Sequence, residues 1–366
     1  MAVLARLLLA ASLLQAVLIY VPLPSWAAWM LHFAALEACL LGSATGLGAL
    51  ALSRGRPVLQ ALSLVGVVAG LVPALAAIPA YRRASQGFSP LAWLTGRAGP
   101  AVVVERDLPI APGLRADLYR APGRGPHPFV VVVHGGSWRS GDKGDAAHVS
   151  HAIARAGISV VDVSYRLAPA HRFPAAVEDV KCLVGRLRQR AAELGLDPTR
   201  VALLGRSAGA QIALVAAYSD ERIAPACAVP TAPVQAVVSV YGPTDLAWAH
   251  DHPYVPDVVS GVEAVEVYLG GTPAAVPEAY RLATPQTWIT DATPPTLLVH
   301  GTGERCVRPD NTAMLAAALT ARGRPVQTLM VPFADHGFDV RRGGFGDQLA
   351  RGVIVDFLRA RLLTAP

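Results

Sequence analysis

The sequence predicts an α/β domain with a mostly parallel, eight-stranded sheet flanked by helices, preceded by a bundle of about three transmembrane helices. Three observations carry this. From about residue 85 onward, short β-branched runs alternate with stretches of helical spacing, which places parallel strands beneath covering helices. Before that point, residues 7–36, 38–53 and 57–81 contain no charged side chain. The 366-residue chain is 53% hydrophobic and only 16% charged, against about 25% charged in an ordinary soluble domain.

A spanning helix needs about 20 apolar residues. With breaks at "VPLPSW" (21–26) and "SRGRP" (53–57), spans fit at about 5–22, 26–52 and 58–80. The expected division is therefore a membrane region over 1–84 and an α/β domain over 85–366. A signal peptide with "SWA" as cleavage site is the rival, but two further apolar runs follow at once. Gly42/Gly46 and Gly66/Gly70 lie one turn apart and let helix backbones approach closely, giving a compact cluster and permitting a homo-oligomer through these helices. His32 and Glu37 are ionisable groups at membrane depth, expected to face the bundle or reach an edge. Arg6, Arg54 and Arg56 balance Arg82, Arg83 and Arg97, so charge does not orient the chain across a bilayer.

In the second region, 101–108 and 114–120 read as a hairpin around "PIAPG". Buried strands follow at 129–134, 158–163, 201–204, 234–240, 296–300 and 326–331. Helices are expected near 145–156, 174–194, 208–219, 311–322 and 346–363. Ligands of such sheets bind at the carboxyl ends of the strands. The net charge of +6 is scattered and no basic run is interleaved with aromatics, which argues against nucleic acid; a mild attraction to anionic membrane lipid fits. Cys39, Cys182, Cys227 and Cys306 show no metal spacing and read as buried free thiols, with pairing of Cys182 and Cys227 left open.

"GRSAG" (205–209) stands between the strand "VALL" and a helix, where glycines permit a tight turn that lifts Ser207 above the sheet. A serine hydroxyl is a poor nucleophile without a base. Of the later histidines, His300 ends a strand before a glycine and suits a structural role, whereas His336 lies in a loop past the last strand. Glu304, four residues beyond "TLLVH", is placed to orient that imidazole. Asp310 is better suited to cap the next helix, and Asp335 cannot easily turn back to its neighbour's ring. "VVVVHGGSW" (130–138) offers unshielded backbone amides at Gly136 and Ser137 which, with that of Ala208, can hold an oxyanion.

"HGGSW", "YRLAPAHRFPAAVEDV", "GRSAGA", "YGPTDL", "HGTGE" and "DHGF" occur in the order found in α/β-hydrolase carboxylesterases and lipases. The region 100–362 resembles their hormone-sensitive-lipase-like, feruloyl-esterase-like and isoprenylcysteine-methylesterase-like branches. The resemblance implies the α/β-hydrolase fold, with Ser207 as nucleophile, His336 as base, Glu304 as acid and Gly136, Ser137 and Ala208 as oxyanion hole. It also implies that His134, with Gly135, braces the oxyanion loop. Three positions depart from the family pattern: Ser137 replaces a glycine, Arg206 stands where aspartate is frequent, and the acid is glutamate.

The remaining conspicuous residues have plainer readings. Arg206 suits a surface or cap contact, Asp162 and Arg166 an ion pair, and Asp245 a turn cap. The insert 246–271, with Trp248 and Tyr254, is the candidate cap over a pocket that Trp138 also lines. The expected activity is hydrolysis of a small-molecule or lipid-like ester through an acyl-enzyme, by a multi-pass membrane protein that needs no metal or organic cofactor. The same triad serves amidases, peptidases and acyltransferases, and a non-catalytic membrane scaffold with this fold is the alternative from another class.

Overall fold

The computed structural model describes residues 1–21, 25–97 and 99–364, so residues 22–24 of the expected break at 21–26 lie outside the described residues. The chain opens with four helices: α1 (Ala2–Tyr20), α2 (Trp26–Glu37), α3 (Cys39–Leu52) and α4 (Pro57–Arg83). Helices α1 and α4 are long and apolar enough to cross a membrane; α2 and α3 together make a third such length, bent by 70°. The continuous helix expected over 26–52 is thus broken at Ala38. At the break, the Glu37 carboxylate reaches Arg341 at 3.3 Å and its carbonyl accepts the Trp93 indole N–H at 3.2 Å.

Within the bundle the small residues allow close approach. A Cβ on Gly70 would lie 2.5 Å from the Cys39 carbonyl oxygen, and one on Gly66 would lie 2.0 Å from Ser12 Oγ. Ser12 and Ser43 hydroxyls donate to the carbonyls of Gly42 and Val67, so the polar groups brought inside are satisfied.

Eight strands form one sheet in the order β1-β2-β4-β3-β5-β6-β7-β8, with bounds β1 Val104–Ala111, β2 Leu114–Tyr119, β3 His127–Val133, β4 Ser159–Val163, β5 Leu196–Arg206, β6 Ala236–Val240, β7 Thr296–Gly301 and β8 Val326–Val331. Pairings among β1, β2 and β4 are antiparallel and the others are parallel. Strand β1 runs to Ala111, which leaves only Pro112–Gly113 as the turn, tighter than the "PIAPG" expected. Strands β4, β6 and β7 are buried along their whole length because helices cover both faces.

The bundle rests on the end of this domain. Tyr81 of α4 donates to the Phe345 carbonyl at 2.7 Å, and Phe88 stacks on the Phe345 ring with centroids 4.7 Å apart.

Several side-chain expectations are corrected. Cys182 and Cys227 form a disulfide with Cα atoms 5.4 Å apart, because the segment carrying Cys227 folds back onto the helix Ala175–Gln189, where the Ala226 amide donates to the Glu178 carbonyl. Arg166 pairs with Asp179 at 2.8 Å, and Asp162 instead accepts the Gly144 amide. Asp310 is the first residue of the helix Asp310–Ala321 and gives it no side-chain cap. Asp245 does cap, accepting the Trp248 amide at 2.9 Å.

The disulfide closes a loop of 45 residues. Restricting the unfolded chain to that extent is worth about 4 kcal/mol in the chain-entropy picture. Cys182→Ala/Cys227→Ala is therefore expected to unfold at a clearly lower temperature than the parent protein, and dithiothreitol should move only the parent.

Candidate active site

Ser207 sits between β5 and the helix Ala208–Tyr218, with φ 52° and ψ −124°. This sterically costly conformation for a non-glycine residue is forced by the narrow turn. A Cβ on Gly205 would lie 2.1 Å from the Gly209 carbonyl oxygen, and one on Gly209 would lie 2.2 Å from that of His134. Only glycines let strand, turn and helix crowd so closely.

His336 lies in the segment between β8 and the helix Phe345–Leu362. Its Nε2 is 2.9 Å from Ser207 Oγ and its Nδ1 is 3.1 Å from Glu304 Oε2. Glu304 follows β7 and is buried; its other oxygen accepts the backbone amides of Cys306 and Val307 at 2.7 and 3.0 Å. Burial opposes ionisation of Glu304, but the adjacent His336 and the Val307 amide hold its pKa below the usual value. Burial likewise disfavours charge on His336, yet the Cys306 sulfur and the Glu304 carboxylate hold its pKa well above that of a free imidazole.

The loop after β3 lies against Ser207. A Cβ on Gly135 would be 3.2 Å from that of Ser207, and Gly136, Ser137 and Trp138 all have positive φ. Among the described residues, no protein acceptor takes the amide hydrogens of Gly136, Ser137 or Ala208. His134 shapes this loop: its Nδ1 donates to the Gly135 carbonyl at 2.7 Å, its ring stacks on Tyr165, and the Tyr165 hydroxyl donates to the His134 carbonyl.

His300 is fully buried and bonded to Thr312 Oγ1 and the Val307 carbonyl, with its Nε2 3.8 Å from Glu304 Oε2. Glu304, Cys306 and His336 have donor atoms within 4.8 Å of one another and are the only such His/Cys/Asp/Glu group among the described residues. Two of the three are already hydrogen-bonded to each other.

A cleft opens at Ser207. Its far wall is the insert, which forms the helices Leu246–Asp251 and Gly261–Leu269 with a loop between them. Trp138, Trp248 and Tyr254 all line it, together with Val259, Val262 and Cys306.

Sequence reasoning missed Asp339 and misjudged Arg206. Arg206 is buried, its Nε donating to Asp339 Oδ2 at 2.6 Å, while the Tyr241 hydroxyl donates to Oδ1 of the same carboxylate. The residue beside the serine is thereby tied to the segment carrying the histidine. The only sequence signal was a positive charge enclosed by the apolar run of a central strand.

A protein-family model described as BD-FAE matches residues 116–319, more than half of the chain. The chain belongs to the BD-FAE family. Among curated relatives, this family member is similar to Esterase LipQ of Mycobacterium tuberculosis, at 28% identity over 64% of this chain and 57% of the relative. It also matches Probable carboxylic ester hydrolase LipM of the same organism, at 30% identity over 61% of this chain and 53% of the relative. The chain thus spans little more than half the length of these relatives. Among solved structures, the hyperthermophilic esterase from Pyrobaculum calidifontis superposes with a TM-score of 0.62 at 23% identity, covering 79% of this chain and 91% of that one. These likenesses establish the α/β-hydrolase fold of this BD-FAE domain.

Proposed function

We propose that this protein is a membrane-anchored carboxylic ester hydrolase, with residues 1–84 as the membrane region and 85–366 as the catalytic domain. The observation that carries the reading is the continuous chain of contacts from Ser207 Oγ through the His336 ring to Glu304. Ser207 attacks the ester carbonyl as His336 Nε2 takes its proton, and Glu304 fixes the tautomer and stabilises the imidazolium. The amides of Gly136, Ser137 and Ala208 hold the oxyanion, each worth about 2.7–4 kcal/mol of barrier. His336 then protonates the leaving alcohol, and water repeats the steps on the acyl-enzyme. The esterase names of the curated relatives support this activity.

Membrane anchoring rests on the outward faces of the N-terminal helices, where Leu7, Leu14, Val17, Leu47, Val58, Val65, Val68 and Leu75 are exposed. Such a surface, together with a cleft walled by Trp138, Trp248, Val259 and Val262, favours a lipophilic ester. Hydrolysis of p-nitrophenyl esters from acetyl to palmitoyl by the full chain in nanodiscs tests both parts. Turnover that rises with chain length supports the reading; turnover of acetate alone sinks the lipophilic part, and no turnover of any ester sinks the whole.

The raised pKa of His336 has a measurable consequence. The neutral imidazole, the form that acts as base, appears only above that pKa, so kcat/KM is expected to climb with pH through a midpoint above the free-imidazole value of about 6.5. Cys306→Ala removes one cause of the rise, the sulfur beside the ring, and is expected to move that midpoint to lower pH.

A further inference from the structure

Asp335, next to His336, is completely buried, and two of its hydrogen bonds reach other segments of the chain. Its Oδ1 accepts the backbone amide of His336 at 2.7 Å and that of Arg305 at 2.9 Å. Arg305 directly follows Glu304, so one oxygen sets the spacing between the segments bearing the base and the acid. Its Oδ2 accepts the indole N–H of Trp29, in helix α2, at 2.7 Å. His32, one turn further along α2, brings Nε2 to 3.4 Å of the same oxygen. The Leu18 carbonyl of α1 takes the hydrogen of His32 Nδ1 at 2.9 Å, which fixes the ring.

Two further contacts hold the same segment against the bundle. Phe333, at φ 59°, meets Tyr20 of α1 edge to face with centroids 6.2 Å apart. Arg341 pairs with Glu37 at the end of α2. No helix or strand lies between Val331 and Phe345, so this long irregular segment has little local structure of its own. Yet a general base must be held to within about 0.5 Å of its working position. Glu37 therefore turns toward the segment that carries His336 and not toward the bundle or a lipid edge. His32 bridges the two, with Nδ1 on the α1 carbonyl as the sequence suggested and Nε2 toward Asp335.

We infer that helix α2 is a structural part of the active site: Trp29, with His32 beside it, is a positioning residue that holds Asp335 and through it the relative placement of His336 and Glu304. A buried carboxylate is tolerated only when its oxygens are bonded. Losing the Trp29 N–H leaves Oδ2 without a direct hydrogen bond, and the segment must shift to find another. The N-terminal bundle then does more than anchor the chain, since its packing sets the geometry of the base. This inference rests on the esterase reading for its kinetic test but not for its structural one.

The test uses the full chain in nanodiscs and a soluble short-chain ester, so that partition into lipid plays no part. Trp29→Phe keeps the ring and removes the donor. It is expected to lower kcat about five- to tenfold, a part of the worth of one hydrogen bond to a charged group, with KM unchanged. In an Asp335→Asn background the same substitution should cost less than about twofold, because the partner of the lost donor has changed. Leu31→Ala, on the exposed side of α2, should leave kcat unchanged. In parallel, amide hydrogen exchange over 335–341 should quicken about tenfold in Trp29→Phe while the central strands stay protected, whether or not any ester is turned over. Should Trp29→Phe not accumulate, Asp335→Asn alone, which keeps a carbonyl for the two backbone amides, should show the same kcat loss and faster exchange. Wild-type exchange over 335–341 in the folded variant, or kcat losses that simply add in the double variant, would overturn the inference. Absence of ester turnover by the wild type would instead count against the esterase reading and leave the exchange result to decide this one.

Discussion

Ser207→Ala is expected to lose about 10⁶-fold in kcat, the scale seen when the nucleophile of such a triad is removed. Labelling of the membrane fraction by a fluorophosphonate should vanish with it, because the probe reports a serine whose proton has somewhere to go. The structure makes the size of the effect specific to this position. Ser207 is the residue that meets His336 Nε2, and its strained φ and ψ are held by glycine contacts that the substitution leaves alone. The variant should therefore fold and melt like the parent. Glu304→Gln separates the roles further. It preserves the shape but turns the histidine tautomer, and a loss of about 10⁴-fold in kcat is expected. If Glu304→Gln matched the wild type in turnover and labelling, the acid would have to be sought elsewhere, and Asp335 would be the nearest carboxyl in sequence. Asp335, however, spends Oδ1 on backbone amides and Oδ2 on Trp29, and burial pushes its pKa to about 6.

What the sequence disclosed and what it hid follow one physical division. The sheet was legible because buried parallel strands are continuous apolar runs, and β3, β4, β6 and β7 are of that kind. Ser207, Glu304 and His336 were legible because each stands at or just past a strand end, within a short local pattern that constrains the backbone. The hidden features join residues far apart in sequence through groups that are individually commonplace. Trp29 and Asp335 lie 306 positions apart, and Arg206 and Asp339 lie 133 apart. No local periodicity encodes such a pair. The clue available was energetic: His32 and Glu37 in an otherwise uncharged stretch demand partners. Their charged partners, Asp335 and Arg341, lie outside the bundle, which only the docking of the two regions decides. The helices of the insert were also missed, because Leu246–Asp251 is too short to show a period and 252–260 breaks the pattern.

Arg206→Ala is expected to destabilise the α/β domain by about 3–5 kcal/mol, the cost of leaving a buried charge without its partner. In a domain of this size that lowers the melting temperature by about 10 °C. Asp339 would keep the Tyr241 hydroxyl but lose its only counter-charge among the described residues, in a site closed to water. The loss should reach activity as well as stability. Arg206 is bonded in sequence to Ser207, and Asp339 stands three residues beyond His336, so the pair spans the same gap that the proton must cross. Two arms separate these effects. Arg206→Lys keeps the charge without the planar fork and should recover part of the stability but less of the turnover, because a point charge does not fix direction. Arg206→Met with Asp339→Leu removes both charges and should be more stable than Arg206→Ala alone, since no unpaired ion remains. If the double replacement melted below Arg206→Ala, the pair's own attraction, and not the exposure of an orphaned carboxylate, would be what holds these two segments together.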